Sequence, residues 1–412
     1  MNRNGKWLIC LLPAVVSGVG IAAFLVYWLA GGEARESDAA VGPELVRADT
    51  EFGFKLFKEL VGRDDSKNVF ISPSSLALAL TMTYNGASGK TRQAMAKALQ
   101  IRGIDLQQVN EANAALLANM NGPGPGVTLN VANSLWARQD VEFDADFLQR
   151  NREFYSAEVT ALDFGRPDAL DIINGWVADK TEGKIDEVIG TISPGTVLFL
   201  INAIYFKGAW EDPFDPARTR KGTFTLTDGA EKTVPMMSRH GDYNYLQTDT
   251  FQAIRLPYGK GRLSMYVFLP SKELGLRGFY KELHRESWES WMSLFSETKG
   301  SISLPRFRVE YEVEQALKEA LTALGMGVAF SRSADFSAMI PGGGVWIERV
   351  IHKTFLEVNE EGTEAAAATA VEMLGVAIRQ PFDMVVDRPF FCAIRDDKTG
   401  VILFMGSIVD PG

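Results

Sequence analysis

The chain is short of the residues on which many enzymes and small secreted scaffolds are built. Of 412 residues only two are cysteine, Cys10 and Cys392, and three are histidine, His240, His284 and His352. Cys10 lies in an apolar leader and Cys392 in a hydrophobic run, so a disulfide between them is not expected. No Cys-x-x-Cys is present, which excludes a zinc ribbon or a thioredoxin-like centre. The sequence has no Gly-x-Ser-x-Gly and no His-Glu-x-x-His, so the common marks of an activated serine or a zinc protease are missing. Gly89-Lys90-Thr91 has the tail of a phosphate-binding loop, but Tyr84 stands where that motif needs its first glycine. No catalytic residue, metal or cofactor is expected. Basic charge is in deficit: 42 Lys and Arg against 52 Asp and Glu leave a net charge of −10, which speaks against a nucleic-acid partner. No Asn-x-Ser/Thr sequon occurs, which is compatible with a bacterial surface protein.

What is present begins with an apolar leader. Trp7 to Ala30 carries no charge and follows Arg3 and Lys6. About 20 such residues span a bilayer, and the basic flank places the bulk of the chain outside the cytoplasm. Residues 1–30 therefore read as a signal anchor or a cleaved signal peptide, residues 31–43 as a linker, and residues 44–412 as an extracytoplasmic domain, secreted or membrane-anchored. Gly32 stands where a lipoprotein signal would need cysteine.

The body alternates helix and strand patterns. Val46, Phe52, Leu56, Phe57 and Leu60 have helical spacing. Leu76 to Tyr84 is apolar almost all round, which predicts a buried helix opened by Pro73. Residues 196–208 form a long apolar run, read as a central strand buried on both faces. Residues 300–311 read as one strand, and residues 314–324 as a helix ended by Gly325. Asp105 to Asn119 contains no Lys or Arg.

Near the C-terminus the alanine run Ala365–Ala368 reads as helix by propensity. At period two it reads differently: Thr363, Ala365, Ala367, Thr369, Val371 and Met373 share one face, a half-buried strand with small inward residues. The flanking pieces HKTFLEVNEEGTEAAAATA and DRPFFCAI, followed by FMGSIVDP, resemble the hinge and C-terminal signature of the serpins. INGWVADKTEGKI, LINAIYFKGAW, VPMM and RLPYGKGRLSMYVFLP resemble serpin segments in the same order, over roughly residues 45–411.

That resemblance implies an α+β serpin fold: a large central, mostly antiparallel sheet, further sheets, about eight or nine helices, and an exposed reactive loop at about 360–388. It implies a suicide-substrate inhibitor of serine proteases, whose loop inserts as an extra strand after cleavage, rather than an enzyme. The alternative is a non-inhibitory serpin acting as carrier or chaperone. The hinge would be Glu360, Glu361, Gly362, Thr363, Glu364, Ala365, Ala366, Ala367 and Ala368, with no proline to interrupt it. Ser75, Asn202 and His352 would form a buried polar cluster under the central sheet, and Trp210, Arg306 and Glu360 would mark where insertion starts. Counting along the loop places the cleaved bond at Val376–Ala377, or at Ile378–Arg379. Either choice presents a β-branched aliphatic residue, suited to an elastase-like or subtilisin-like protease. A heparin-type activator is not expected, because the segment 105–119 lacks basic residues. The protein is expected to be a monomer, with a membrane contact through residues 7–30 if these are uncleaved.

Overall fold

A computed structural model describes residues 40–363 and 381–412. The leader, hinge residues Glu364 to Ala368 and both candidate bonds, Val376–Ala377 and Ile378–Arg379, lie outside the described residues. Among the described residues no helix is long and apolar enough to cross a membrane.

The first helix, α1 (Pro43–Val61), starts on a proline whose missing N–H costs nothing there, and carries Glu44 in its first turn. It buries Phe52, Leu56, Phe57 and Leu60. After the short strand β1 (Val69–Ile71), Ser72 caps α2 (Pro73–Tyr84), its hydroxyl accepting from Ser75 N at 3.3 Å. Every residue of α2 is buried, as its uniform apolar pattern requires. Then come α3 (Gly89–Ala98), α4 (Leu106–Asn121), β2 (Val127–Arg138), α5 (Ala145–Tyr155), β3 (Glu158–Leu162), α6 (Ala169–Lys180) and β4 (Leu198–Ala209). Strands β5 (Arg220–Thr225), β6 (Glu231–Gln247), β7 (Phe251–Tyr258) and β8 (Leu263–Pro270) follow. Two helices, α7 (Gly275–Glu282) and α8 (Arg285–Leu294), precede β9 (Ser296–Pro305), β10 (Phe307–Val313) and α9 (Gln315–Leu321). The chain closes with β11 (Arg349–Val358), β12 (Gly362–Thr363), β13 (Phe382–Val385), β14 (Phe390–Asp396) and β15 (Ile402–Ile408).

The strands form two sheets. One has nine strands in the order β1-β15-β14-β8-β7-β6-β9-β13, with β5 on β6. The other has six in the order β10-β11-β4-β2-β3, with β12 on β4. This α+β arrangement is the expected fold class. Within the six-stranded sheet β10–β11 and β4–β2 are antiparallel, whereas β11–β4 and β2–β3 are parallel.

Two sequence expectations are corrected. The stretch read as one strand over residues 300–311 is two, β9 and β10, in different sheets. The break falls at Arg306, whose backbone N–H bonds Pro235 O at 2.9 Å. The helix expected to run to residue 324 ends at Leu321 and passes through a wider turn to Met326, where Gly325 takes φ of +103°, a conformation that favours glycine.

Candidate functional site at the seam of the six-stranded sheet

β4 and β11 meet in a parallel ladder that runs from Arg349 opposite Phe199 to Phe355 opposite Tyr205 and stops there. β4 continues to Ala209, and β2 occupies its other edge as far as Gly208. The edge of β4 above the ladder is therefore open to a further strand. β12 takes it: Thr363 lies opposite Gly208 and Gly362 opposite Ala209, antiparallel to β4.

A tight turn delivers β12 to this position. Asn359 N bonds Gly362 O at 2.9 Å, and Asn359 Oδ1 accepts from Glu361 N at 3.0 Å. Gly362 has φ of +144°, and a Cβ there would lie 2.1 Å from Gly208 O, so only glycine fits. Thr363 is fully buried, with its hydroxyl 2.9 Å from the Tyr258 hydroxyl. Trp210 stacks on Tyr258, with centroids 4.4 Å apart, and its Nε1 donates to Asn359 O at 3.0 Å. Its backbone N–H bonds Glu361 O at 3.0 Å.

Glu360 anchors the turn. Only 4% exposed, it accepts from Arg306 Nε at 2.8 Å and Nη2 at 2.6 Å, and from the Thr219 hydroxyl. Burial opposes ionisation of this carboxyl, but the donated hydrogen bonds from Arg306 and Thr219 outweigh it and hold the group below its ordinary range. Trp210, Arg306 and Glu360 are thus brought together. Thr219, which lies in the segment before β5, was not foreseen.

Lower on the seam the cluster foreseen around His352 is also assembled. His352 on β11, Asn202 on β4 and Asn133 on β2 stand in one row of the register. His352 Nε2 accepts from Ser72 N at 3.0 Å, which leaves Nδ1 to carry the proton and donate to Asn202 Oδ1 at 2.5 Å. Asn202 Nδ2 donates to Ser75 Oγ and to Asn133 Oδ1, the latter at 2.6 Å. Asn133 and Ser72 are additions to the expected trio. With Nε2 facing a backbone amide rather than a serine hydroxyl, His352 has no nucleophile to activate. His240 and His284 are exposed, and among the described residues no group of His, Cys, Asp and Glu converges as a metal site.

Burial pushes the His352 imidazole from its ordinary 6.5 down to about 3, so it is neutral. A depressed folded pKa means the unfolded chain binds the proton first. The stability tied to neutral His352 is complete above pH 6.5 and is lost as pH falls toward 3, with a slope of up to about 1.4 kcal/mol per pH unit. We expect the thermal midpoint of a His352→Gln variant to fall less steeply than the parent's across this window; equal slopes would contradict the assignment.

Comparison with known proteins agrees with this geometry. A family model described as serpin (serine protease inhibitor) matches residues 47–411. Serpin B8 of Homo sapiens is 39% identical over 379 residues, covering 89% of this chain and 100% of that protein. The leukocyte elastase inhibitor of Bos taurus is 35% identical over 380 residues, covering 89% of this chain and all of its own length. Among solved structures, tengpin, a thermophilic serpin in its native state, superposes with a TM-score of 0.82 at 31% identity, covering 91% of this chain and 96% of that one. The chain belongs to the serpin family.

Proposed function

We propose that the protein inhibits serine proteases as a single-use substrate, taking up its own cleaved loop as a new strand between β4 and β11. The observation that carries this reading is β12. Gly362 and Thr363 already pair with β4 at the mouth of the seam, ahead of the run of small residues. Strand addition by a serpin loop is a known mode of β-augmentation, and its geometry can be worked out here from register.

Carrying the register of β12 downward, Ala365 falls opposite Phe206, Ala367 opposite Ile204, and Met373 opposite Leu198, the first residue of β4. The inward positions are then Thr363, Ala365, Ala367, Thr369, Val371 and Met373, five of them small or β-branched, which suits a core that is already dense. The strand is used up at Met373, short of Val376–Ala377 and of Ile378–Arg379, so either bond leaves a tether that can hold a protease at the far end of the sheet. The new strand runs antiparallel to both β4 and β11. Insertion replaces a parallel ladder, the weaker kind per residue, with two antiparallel ones.

The seam resists opening because the His352–Asn202 hydrogen bond crosses it, and a half-satisfied buried network is costly. In the same register Thr369 falls opposite Asn202, where a hydroxyl can replace the partner each loses. The polar cluster thus acts as a barrier that is satisfied again at the end.

Val376 or Ile378 at the cleaved bond suits an elastase-like or subtilisin-like enzyme. The site of action proposed is extracytoplasmic, as a monomer, tethered through residues 7–30 if these are retained. The test is to incubate the full-length chain with pancreatic elastase or subtilisin and run denaturing gels. The expected result is an SDS-stable complex at the summed mass, with release of a peptide beginning at Ala377 or Arg379. Cleavage without a complex across elastase, subtilisin, trypsin and chymotrypsin would overturn inhibition.

A further inference from the structure

Away from the seam, two adjoining clefts open where the end of α1 meets α7. One, of about 480 Å³, lies between Lys58, Val61 and Gly62 on one side and Arg277, Tyr280 and Lys281 on the other. The second, of about 770 Å³, lies between α7, the turn after β5 and the segment that leads into β14. Asp65, Arg277 and Tyr280 line both, so the clefts meet at the Arg277–Asp65 ion pair. Tyr280 is buried, and its hydroxyl is spent on Ser407 Oγ at 2.6 Å. What it offers the junction is carbon rather than a hydrogen bond.

The two clefts differ in chemistry. The larger is walled by Leu226, Leu274, Leu276, Pro389 and Val409. Leu226, Leu274 and Leu276 pack against the main core yet keep part of their surface open. The charges of this cleft are mostly engaged: Arg388 donates to Pro270 O at 3.0 Å and to Asp387 at 2.7 Å, and Asp228 accepts from Ala230 N at 2.9 Å. Lys272 is exposed. The smaller cleft has three cations, Lys58, Arg277 and Lys281, against one acid, Asp65, which Arg277 occupies. Lys58 and Lys281 pair with no carboxylate among the described residues. A lysine in the last turn of α1 and another in the last turn of α7 each suit a helix dipole. That does not account for both bordering one cleft, with no acid left to balance them, in a chain of net charge −10.

We propose that the two clefts form one binding site for an amphipathic monoanion, a long-chain carboxylate. Its tail fills the larger cleft, and its carboxylate is held by Lys58 and Lys281. Apolar walls with a few charged groups at one end are the usual make-up of a small-molecule site, and the larger cleft falls within the customary range of about 300–1,000 Å³. Charge and shape act together here: the lysines alone would take any anion, and the leucines select one with a hydrocarbon chain. The site shares no residue with the seam or the hinge, so it stands apart from the inhibitory reading.

The test titrates the full-length chain with octanoate, nonanoate and decanoate by calorimetry, each below its micelle concentration. Affinity should rise along the series, by about fourfold for each methylene fully buried. Any binding by the apolar residues 7–30 is common to parent and variant, so the decision rests on their difference. Lys58→Met combined with Lys281→Met should weaken decanoate by about tenfold or more, the worth of a charge-assisted hydrogen bond, and leave decanol unchanged. A local readout needs no variant: decanoate should slow acetylation of Lys58 and Lys281 by acetic anhydride, scored by peptide mass spectrometry, and leave Lys90 of α3 unprotected. Equal decanoate affinity in parent and variant, indifference to chain length, or acetylation of Lys58 and Lys281 at the same rate with and without decanoate would each overturn the proposal.

Discussion

Replacing Thr363 by arginine is expected to turn the protein from an inhibitor into a plain substrate. Thr363 is fully buried, paired opposite Gly208, and hydrogen-bonded to Tyr258, whose own ring is stacked against Trp210. A guanidinium cannot occupy that position without losing its hydration. The effective penalty for a buried ion is several kcal/mol, and each ~1.4 kcal/mol on a barrier slows a step about tenfold. In the mechanism proposed above, insertion competes with hydrolysis of the acyl-enzyme, so a slowdown of about a hundredfold or more would send the reaction down the hydrolytic branch. The parent should consume about one molecule per protease trapped, and Thr363→Arg more than about ten, judged from titration of residual protease activity. Both should be cut at the same bond, because the change does not touch the residues offered to the enzyme. A variant that still trapped protease mole for mole would show that entry at β12 is not required.

Arg262→Met is expected to produce the largest loss of stability without altering the loop. Arg262 is 7% exposed and Asp396 is 5% exposed, with Nη2 to Oδ2 at 2.9 Å. The same guanidinium donates to Gly122 O at 2.8 Å and to Asn119 Oδ1 at 2.6 Å. Placed just before β8, it therefore joins the end of α4 to the last residue of β14. Methionine keeps most of the volume but leaves the Asp396 carboxylate and two further acceptors with fewer donors. Breaking one side of a buried pair costs about 3–5 kcal/mol. The midpoint of urea unfolding should drop accordingly, while the bond cut in the loop stays the same. A midpoint within error of the parent would mean the site is wetter than its burial indicates.

The two variants separate what the sequence could say from what it could not. Thr363 was readable as the first inward residue of a period-two pattern, since small side chains in alternation need only local order to be recognised. Arg262 carries no such mark: it is one charge in a loop between strands, and its value comes from Asp396 and Asn119, both distant in the chain. The polar cluster divides in the same way. His352 stood out as a polar residue in an apolar strand, and Asn202 was expected beside it from the serpin resemblance. Asn133 lies in an ordinary strand pattern and joins them only because the β2–β4 register sets it opposite Asn202. Asp49 sits in a helix whose apolar spacing gave no hint that this carboxyl would be buried.

The sequence by itself determined the family and the fold class, through motifs that resemble serpin segments in the same order, and the buried helix α2 and the central strand β4, through composition and periodicity, which are local. The tertiary structure decided the division of residues 300–311 between two sheets at Arg306, the partnering of Glu360 by Thr219, and the entry of Gly362 and Thr363 into the seam. Each depends on which strand edge is left unpaired, and an edge is a property of the assembled sheet: β2 and β11 must be in place along β4 before a free stretch beside Gly208 and Ala209 exists at all.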